Sequence, residues 1–429
     1  MDVITTAVTA GASEGGISAA YQMLKSRLAG KSPVVADAIA DIEQDPGSQS
    51  RQFALSDALA AAGLAGDRYL RAAARNLIDE VDKRKQGRAA TRQSGVELTR
   101  GPDHAVMKLW FATDRELTGD RHPARQFGGA RGTLRYGSCE VSIPREHRMG
   151  ELESPSLLRL EFREDPNQHV VLLSLDVTDG ASCFSQLKDA LMQGSEKSAL
   201  LFVHGYRVTF EDAARRTGQL AYDLGYKGLP VFYSWPSQGK LAGYIVDEAN
   251  VEWTLPHLTT FLTGFLEQSG AEHVYLLAHS MGNRAMARAV AAVAETRPDL
   301  AGRLREIILT APDIDAEVFR QQIAPALARA ANPVTLYASS DDAALQVSKH
   351  VHGYPRAGES GPGLVVTQGV ETIDATGVDT GFIKHSYFAE RRSALSDMYY
   401  LIHQQSRAGE RFGLQPVDGG AGRYWVFRD

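Results

Sequence analysis

Tyr275-Leu276-Leu277-Ala278-His279-Ser280-Met281-Gly282-Asn283-Arg284 is the stretch on which the fold turns. An apolar run stops at a serine, and Met286, Val290 and Val293 then repeat at helical spacing. The pattern predicts a buried strand, one sharp turn and a helix, which is the form of a nucleophile elbow. Such a turn strains the serine backbone, lifts the hydroxyl clear, and needs small residues two positions to either side. Ala278 and Gly282 meet that need, with alanine where glycine is commonest. The serine also stands at a helix N-terminus, where unpaired N–H groups favour a developing negative charge.

Outward from the elbow the same alternation repeats. Ala199–Val203, Val231–Ser234, Val274–Leu277, Ile307–Thr310 and Val334–Ala338 read as buried strands, with helical stretches at 211–224, 248–268, 282–296 and 316–330 between them. This predicts an α/β fold, a mostly parallel sheet covered by helices on both faces. Upstream, Val106–Thr113, Glu140–Ile143, Leu158–Phe162 and Val170–Leu175 read as further strands, followed by a helix at 181–193. Residues 1–90 differ. Ile17, Tyr21, Leu24 and Leu28 share a helical face, Ser32-Pro33 caps the next helix, Phe53, Leu55 and Leu59 continue the pattern, and Gly63 and Gly66 punctuate it. The expected order is a small all-α bundle at 1–90, a linker at 91–104 and an α/β domain at 105–429. Lys83, Arg84, Lys85, Arg88 and Arg92 read as a solvated stretch rather than a phosphate-binding patch.

Bulk properties narrow the function. The 429 residues are 43% hydrophobic and 23% charged with a net charge of −6, so nothing points to nucleic acid. Cys139 and Cys183 are too few for a disulfide framework and read as reduced thiols. No run approaches a spanning helix, and the N-terminus opens on an acid rather than a basic signal region. The expected location is cytoplasmic, and no cofactor or metal is expected.

A serine hydroxyl needs a base to take its proton. With Ser280 as nucleophile, chain order in this fold puts the acid next and the histidine last. Val334–Ala338 runs into Ser339-Ser340-Asp341-Asp342, and Asp342 is preferred over Asp341, which spacing separates poorly. Asp313, after the preceding strand, is the alternative. His385, in a loop before the final helix, fits the base better than His350 or His352, which follow too closely, or His403, which sits on a helix. Leu200–Val203 ending in His204-Gly205 reads as the prelude to an oxyanion loop. The backbone N–H of Tyr206, or of Arg207, would act there with that of Met281. His204 itself reads as a packed loop residue. Trp235 and Trp253 suit an acyl pocket and core packing equally. Gly358-Glu359-Ser360-Gly361-Pro362-Gly363 reads as a surface loop.

Beyond the elbow, the chain carries Phe111-Ala112-Thr113-Asp114-Arg115, Tyr136-Gly137, Val141-Ser142-Ile143-Pro144, Phe210-Glu211-Asp212-Ala213, Ser234-Trp235-Pro236-Ser237, Ala311-Pro312-Asp313 and His385-Ser386-Tyr387. With these motifs residues 105–403 resemble bacterial α/β-hydrolases of uncharacterised substrate within the esterase/lipase superfamily. The resemblance implies a Ser280, His385, Asp342 triad acting on a small-molecule or lipid ester through an acyl-enzyme. It names no substrate, and amide or peptide hydrolysis uses the same apparatus. The helical region resembles, loosely, modules joined to bacterial effector domains, which implies a protein partner and leaves open an adaptor with a weak catalytic domain.

Overall fold

The apolar runs of the second half become a parallel sheet in the computed structural model. It describes residues 3–13, 19–44, 49–64, 67, 70, 73–74, 77, 99–100, 104–154, 164–240, 243–331, 333–340, 345, 348, 352–377 and 390–428. The chain divides into two compact units, Met1–Gln93 and Ser94–Asp429.

In the first unit, helices α1 (Val3–Ser13), α2 (Ala19–Ala29), α3 (Pro33–Gln44) and α4 (Gln49–Ala61) pack around their own core. Ile4, Val8, Tyr21, Leu24, Leu28, Ile39, Ile42, Leu55 and Leu59 are buried together there. The Ser32 hydroxyl accepts from the Val35 N–H at 3.4 Å, with Pro33 opening α3, as the sequence implies. Gly63 turns the chain after α4 in a left-handed conformation, φ 67°. Ile17 and Phe53 lie outside the described positions or side chains.

The second unit is built on strands β1 (Thr99–Arg100), β2 (His104–Leu117), β3 (Phe127–Pro144), β4 (Val171–Thr178), β5 (Ser198–Val203), β6 (Leu229–Ser234), β7 (His273–His279), β8 (Leu304–Thr310), β9 (Val334–Ala338), β10 (Glu371–Asp374), β11 (Leu414–Gly419) and β12 (Gly422–Phe427). Among the described residues their order is β11-β12-β10-β9-β8-β7-β5-β6-β2-β3-β4, with β1 beside β2. Neighbours from β2 through β6, β5, β7, β8, β9 and β10 to β12 are parallel. The β2–β3–β4 meander and the β11–β12 hairpin are antiparallel. The segment Leu158–Phe162, expected as a strand, lies outside the described residues.

Side chains alternate between two cores. Ala199, Leu201, Val203, Leu276 and Ala278 face one side. That side is covered by α5 (Gly180–Gln193), α7 (Tyr244–Gln268), α8 (Gly282–Thr296) and the stretch from α10 (Ala316–Val318) through a π-turn at Phe319–Ile323 to α11 (Ala324–Ala330); α9 (Pro298–Ala301) follows α8. Leu200, Phe202, Tyr275 and Leu277 face the other side, under α6 (Phe210–Asp223) and α12 (Glu390–Gln404). Period two along each strand is what a sheet buried on both faces requires.

The β11–β12 hairpin is tied down by charge. The buried Arg411 guanidinium donates to Asp397 of α12 at 2.7 Å and to Glu371 of β10 at 2.9 Å, and Arg407 meets Glu371 at 2.6 Å. Tyr337 of β9 donates its hydroxyl to Asp397, and Thr335 donates to Glu306 at 3.0 Å. No described helix is long and apolar enough to cross a membrane.

Candidate active site

Register brings three strand ends to one edge. Val203 pairs with Ala278, Ala278 with Leu309 and His279 with Thr310, so His204-Gly205, Ser280 and Ala311 leave the sheet side by side. Three non-glycine residues there have positive φ: Arg207 at 61°, Ser280 at 48° and Ala311 at 44°. Side chains are strained in that region, and such strain gathers where a structure is organised for function. Ser280 is the elbow that the sequence predicts, held by its own backbone. Its N–H donates to the Thr310 carbonyl at 2.9 Å. Its carbonyl accepts from the N–H groups of Asn283 at 3.1 Å and Asp313 at 3.2 Å, and from the Asn283 amide at 3.0 Å.

The small residues are required sterically. A Cβ on Gly282 would lie 2.2 Å from the His204 carbonyl oxygen, and one on Gly205 would lie 2.8 Å from His279 Nδ1 and 3.0 Å from Ser280 Cβ. The His204–Tyr206 turn therefore packs directly against the serine. Met281 stands at the start of α8, among N–H groups that have no partner within a helix. Of the two donors considered on the other loop, the Arg207 N–H points to the Asp247 carboxylate at 3.4 Å.

His204 is indeed packed. Its ring stacks on Trp235 with centroids 5.1 Å apart, its Nδ1 lies 2.8 Å from the Gly205 carbonyl, and its Nε2 is 3.1 Å from Ser234 Oγ. Burial, and then the neighbouring Arg115, push it well below the usual histidine range, so it is neutral. Trp235 is wholly buried and donates to the His204 carbonyl at 2.7 Å, so it packs in the core. Trp253 sits beneath the Arg131 guanidinium, 5.2 Å from its ring centroid. The glycine-rich loop is only partly at the surface. Gly358 is buried against Ala311, where a Cβ would come within 2.4 Å of the Ala311 carbonyl carbon, while Gly361 and Pro362 are exposed.

Two buried side chains that hold the edge together escape sequence reasoning. Arg115, the last residue of the Phe111–Arg115 motif, donates to Ser234 Oγ at 2.8 Å, to the Gly128 and Ser237 carbonyls at 3.0 and 2.9 Å, and to the Val208 carbonyl at 2.7 Å. Burial lowers this guanidinium to about 10, countered by Asp114, Asp247 and Asp212. Asp247, in the first turn of α7, accepts from Ser237 Oγ at 2.5 Å and the Gln238 N–H at 2.7 Å, and burial raises it above the usual carboxylate range. The motif's presence was legible, but a lone arginine after a strand shows nothing of the four acceptors waiting for it.

Asp313, the alternative acid, is fully engaged. It accepts from Tyr244 at 2.7 Å and Arg284 at 3.1 Å, meets Arg356 at 3.3 Å, and also accepts from Ser348. His352 is taken by Glu248 at 2.7 Å, and His403 by the Leu224 carbonyl at 2.8 Å. Asp341, Asp342, His350 and His385 lie outside the described residues. Among the described residues no cluster of side chains could hold a metal ion.

No curated protein matches the chain. Among solved structures it is similar to an esterase B from Lactobacillus rhamnosis, at 11% identity and a TM-score of 0.29, over 79% of this chain and 98% of that one. It is similar to a fungal esterase from Rhizomucor miehei, also at 11% identity and 0.29, over 75% and 87%. It is similar too to a lipase B of Aspergillus fumigatus, at 11% and 0.27, over 88% and 77%. These likenesses are too distant to carry a function across. Residues 1–106 match the Het-E N-terminal domain. Residues 180–404, which include the elbow, match the family described as alpha/beta hydrolase of unknown function (DUF900), and the chain belongs to that family.

Proposed function

We propose that the protein is a serine hydrolase that cleaves carboxylic esters through an acyl-enzyme. Ser280 attacks the carbonyl, His385 takes its proton and later returns it to the leaving alkoxide, and Asp342 fixes the imidazole. The backbone N–H groups of Tyr206 and Met281 hold the oxyanion, each worth about 10²–10³ in rate. The observation that carries this reading is the left-handed φ of 48° at a serine between a buried strand and a helix, with Gly205 packed against it. His385 and Asp342 are assigned by chain order and by the motifs around them.

The test is a fluorophosphonate probe. Wild type should label and Ser280→Ala should not; labelling that persists in the variant removes the assignment. A panel of short acyl esters against peptide substrates then separates ester from amide hydrolysis.

The N-terminal unit, proposed here as residues 1–90 joined by a linker at 91–104 to a hydrolase domain at 105–429, reads as a protein-interaction module. Its separate core favours an enzyme addressed through its helices; a location in the cytoplasm is part of the same reading and rests on the sequence alone. Affinity capture with residues 1–429 but not with a chain lacking 1–90 would support it; equal capture by both would not.

A further inference from the structure

Among the described residues, the rim around Ser280 has more cations than partners for them. Asp247 is occupied by Ser237, Gln238 and the Arg207 N–H, and Asp212 by Thr209 in the cap of α6. Glu248 holds Arg284 at 2.6 Å and His352 at 2.7 Å. Asp313 holds Arg284, Arg356, Tyr244 and Ser348. Arg207 and Lys240 are exposed, and among the described residues neither side chain has an ion-pair or hydrogen-bond partner.

Both cations flank Tyr206. Arg207 follows it in the chain, and the Tyr206 hydroxyl donates to the Lys240 carbonyl at 3.2 Å. The Tyr206 ring meets Tyr244 edge-on, with centroids 5.3 Å apart, forming an aromatic lip. Burial and Asp247 raise the Tyr206 phenol while Arg207 pulls it back.

Arg207 also occupies a backbone position that glycine would take without strain, φ 61°. A long charged side chain stands there, and its backbone N–H donates to the Asp247 carboxylate at 3.4 Å. Gly205 is close enough to Ser280 that an added Cβ would lie 3.0 Å from the serine Cβ. Two Cα steps of about 3.8 Å then keep the Arg207 backbone within roughly 12 Å of the serine. An extended arginine and a short acyl or alcohol chain together span that distance.

We propose that Arg207, assisted by Lys240, selects esters that carry an anionic group, a carboxylate or a phosphate, on the acyl or alcohol side of the bond cleaved at Ser280. The guanidinium fork matches both oxyanions in two-point geometry, which a lysine alone does not. The inference rests on the hydrolase reading, and its experiment separates the two.

Rates are compared for p-nitrophenyl pentanoate and mono-p-nitrophenyl glutarate, which are similar in length and differ in charge. Wild type favours the glutarate ester in kcat/KM. Arg207→Asn, whose side chain tolerates a left-handed backbone, lowers the glutarate-to-pentanoate ratio about tenfold through KM, as loss of one charge-assisted contact requires. Arg207→Lys keeps part of the preference. A wild-type preference for the pentanoate ester, or an unchanged ratio in Arg207→Asn, overturns the proposal. Calorimetric titration of Ser280→Ala with monomethyl glutarate, and with a short-chain lysophosphatidic acid, reads the same contact without turnover and separates carboxylate from phosphate. Binding of either ligand that Ser280→Ala/Arg207→Asn loses upholds the anion site even if neither nitrophenyl ester is cleaved, and in that case only the hydrolase reading fails. Absence of binding to both proteins overturns the anion site itself.

Discussion

At the scale of single residues, Gly205 shows how little room the edge leaves. A methyl group there meets His279 and Ser280 at 2.8 and 3.0 Å, so Gly205→Ala should displace the serine by a few tenths of an ångström. A misplacement of a full ångström costs about 10²-fold in rate, and a part of it costs correspondingly less. We expect at least a tenfold slower fluorophosphonate labelling, with the circular dichroism spectrum kept; labelling at the wild-type rate would show that the contact has no bearing on chemistry. Cys139 and Cys183 make a complementary case. Both are buried, and burial raises the Cys183 thiol to about 11. The thiolate is the reactive form, so a maleimide at neutral pH should label neither cysteine until the fold is opened by denaturant. Ser280 was legible because strand, serine and helix follow each other without a gap. Arg115 was not, because its partners come from positions 128, 208, 234 and 237, and only the folded sheet collects them.

At the scale of elements, Arg115 staples the end of β2 to the start of β3, to the end of β6 with the loop that follows it, and to the loop before α6. Removing the guanidinium leaves those neutral oxygens without this donor, and each buried acceptor left unsatisfied costs about 1–3 kcal/mol. Arg115→Met should lower the midpoint of urea denaturation accordingly and slow ester turnover more than it weakens substrate binding. Lysine should not rescue, since one ammonium cannot reproduce the fork; a fully active Arg115→Lys protein would contradict this. The parallel strands were readable as continuous apolar runs, since a strand buried on both faces has no polar side to hide. β10 and the β11–β12 hairpin were harder. β10 spans Glu371–Asp374, bounded by charge at both ends, and Glu371 is tolerated inside only because Arg407 and Arg411 arrive from beyond α12. No local pattern announces a strand whose burial depends on ion pairs some forty residues away in the chain.

At the scale of the whole molecule, one histidine links stability to pH. His147, after β3, lies 2.8 Å from Glu153 through Nδ1 and 2.8 Å from Asp223, the last residue of α6, through Nε2. Burial alone would lower its imidazole, but the two carboxylates outweigh burial and raise it from an ordinary 6.5 to about 9. A proton held more tightly in the folded chain than in the unfolded one stabilises the fold. That contribution is complete below about pH 6.5 and is lost as pH rises through 9, with a ceiling of ~3 kcal/mol. Wild type should therefore lose stability against His147→Gln between pH 6.5 and pH 9, measured by thermal melting; a gap of constant size across that window would refute the linkage.

The left-handed backbone at Arg207, Ser280 and Ala311 has a consequence for descent. Glycine would relax the backbone at each of the three, so selection for thermal robustness alone should pull these sites toward it. A lineage that had abandoned the reaction should drift to glycine at these positions first. Replicate laboratory populations selected solely for heat tolerance would show whether the pull is real.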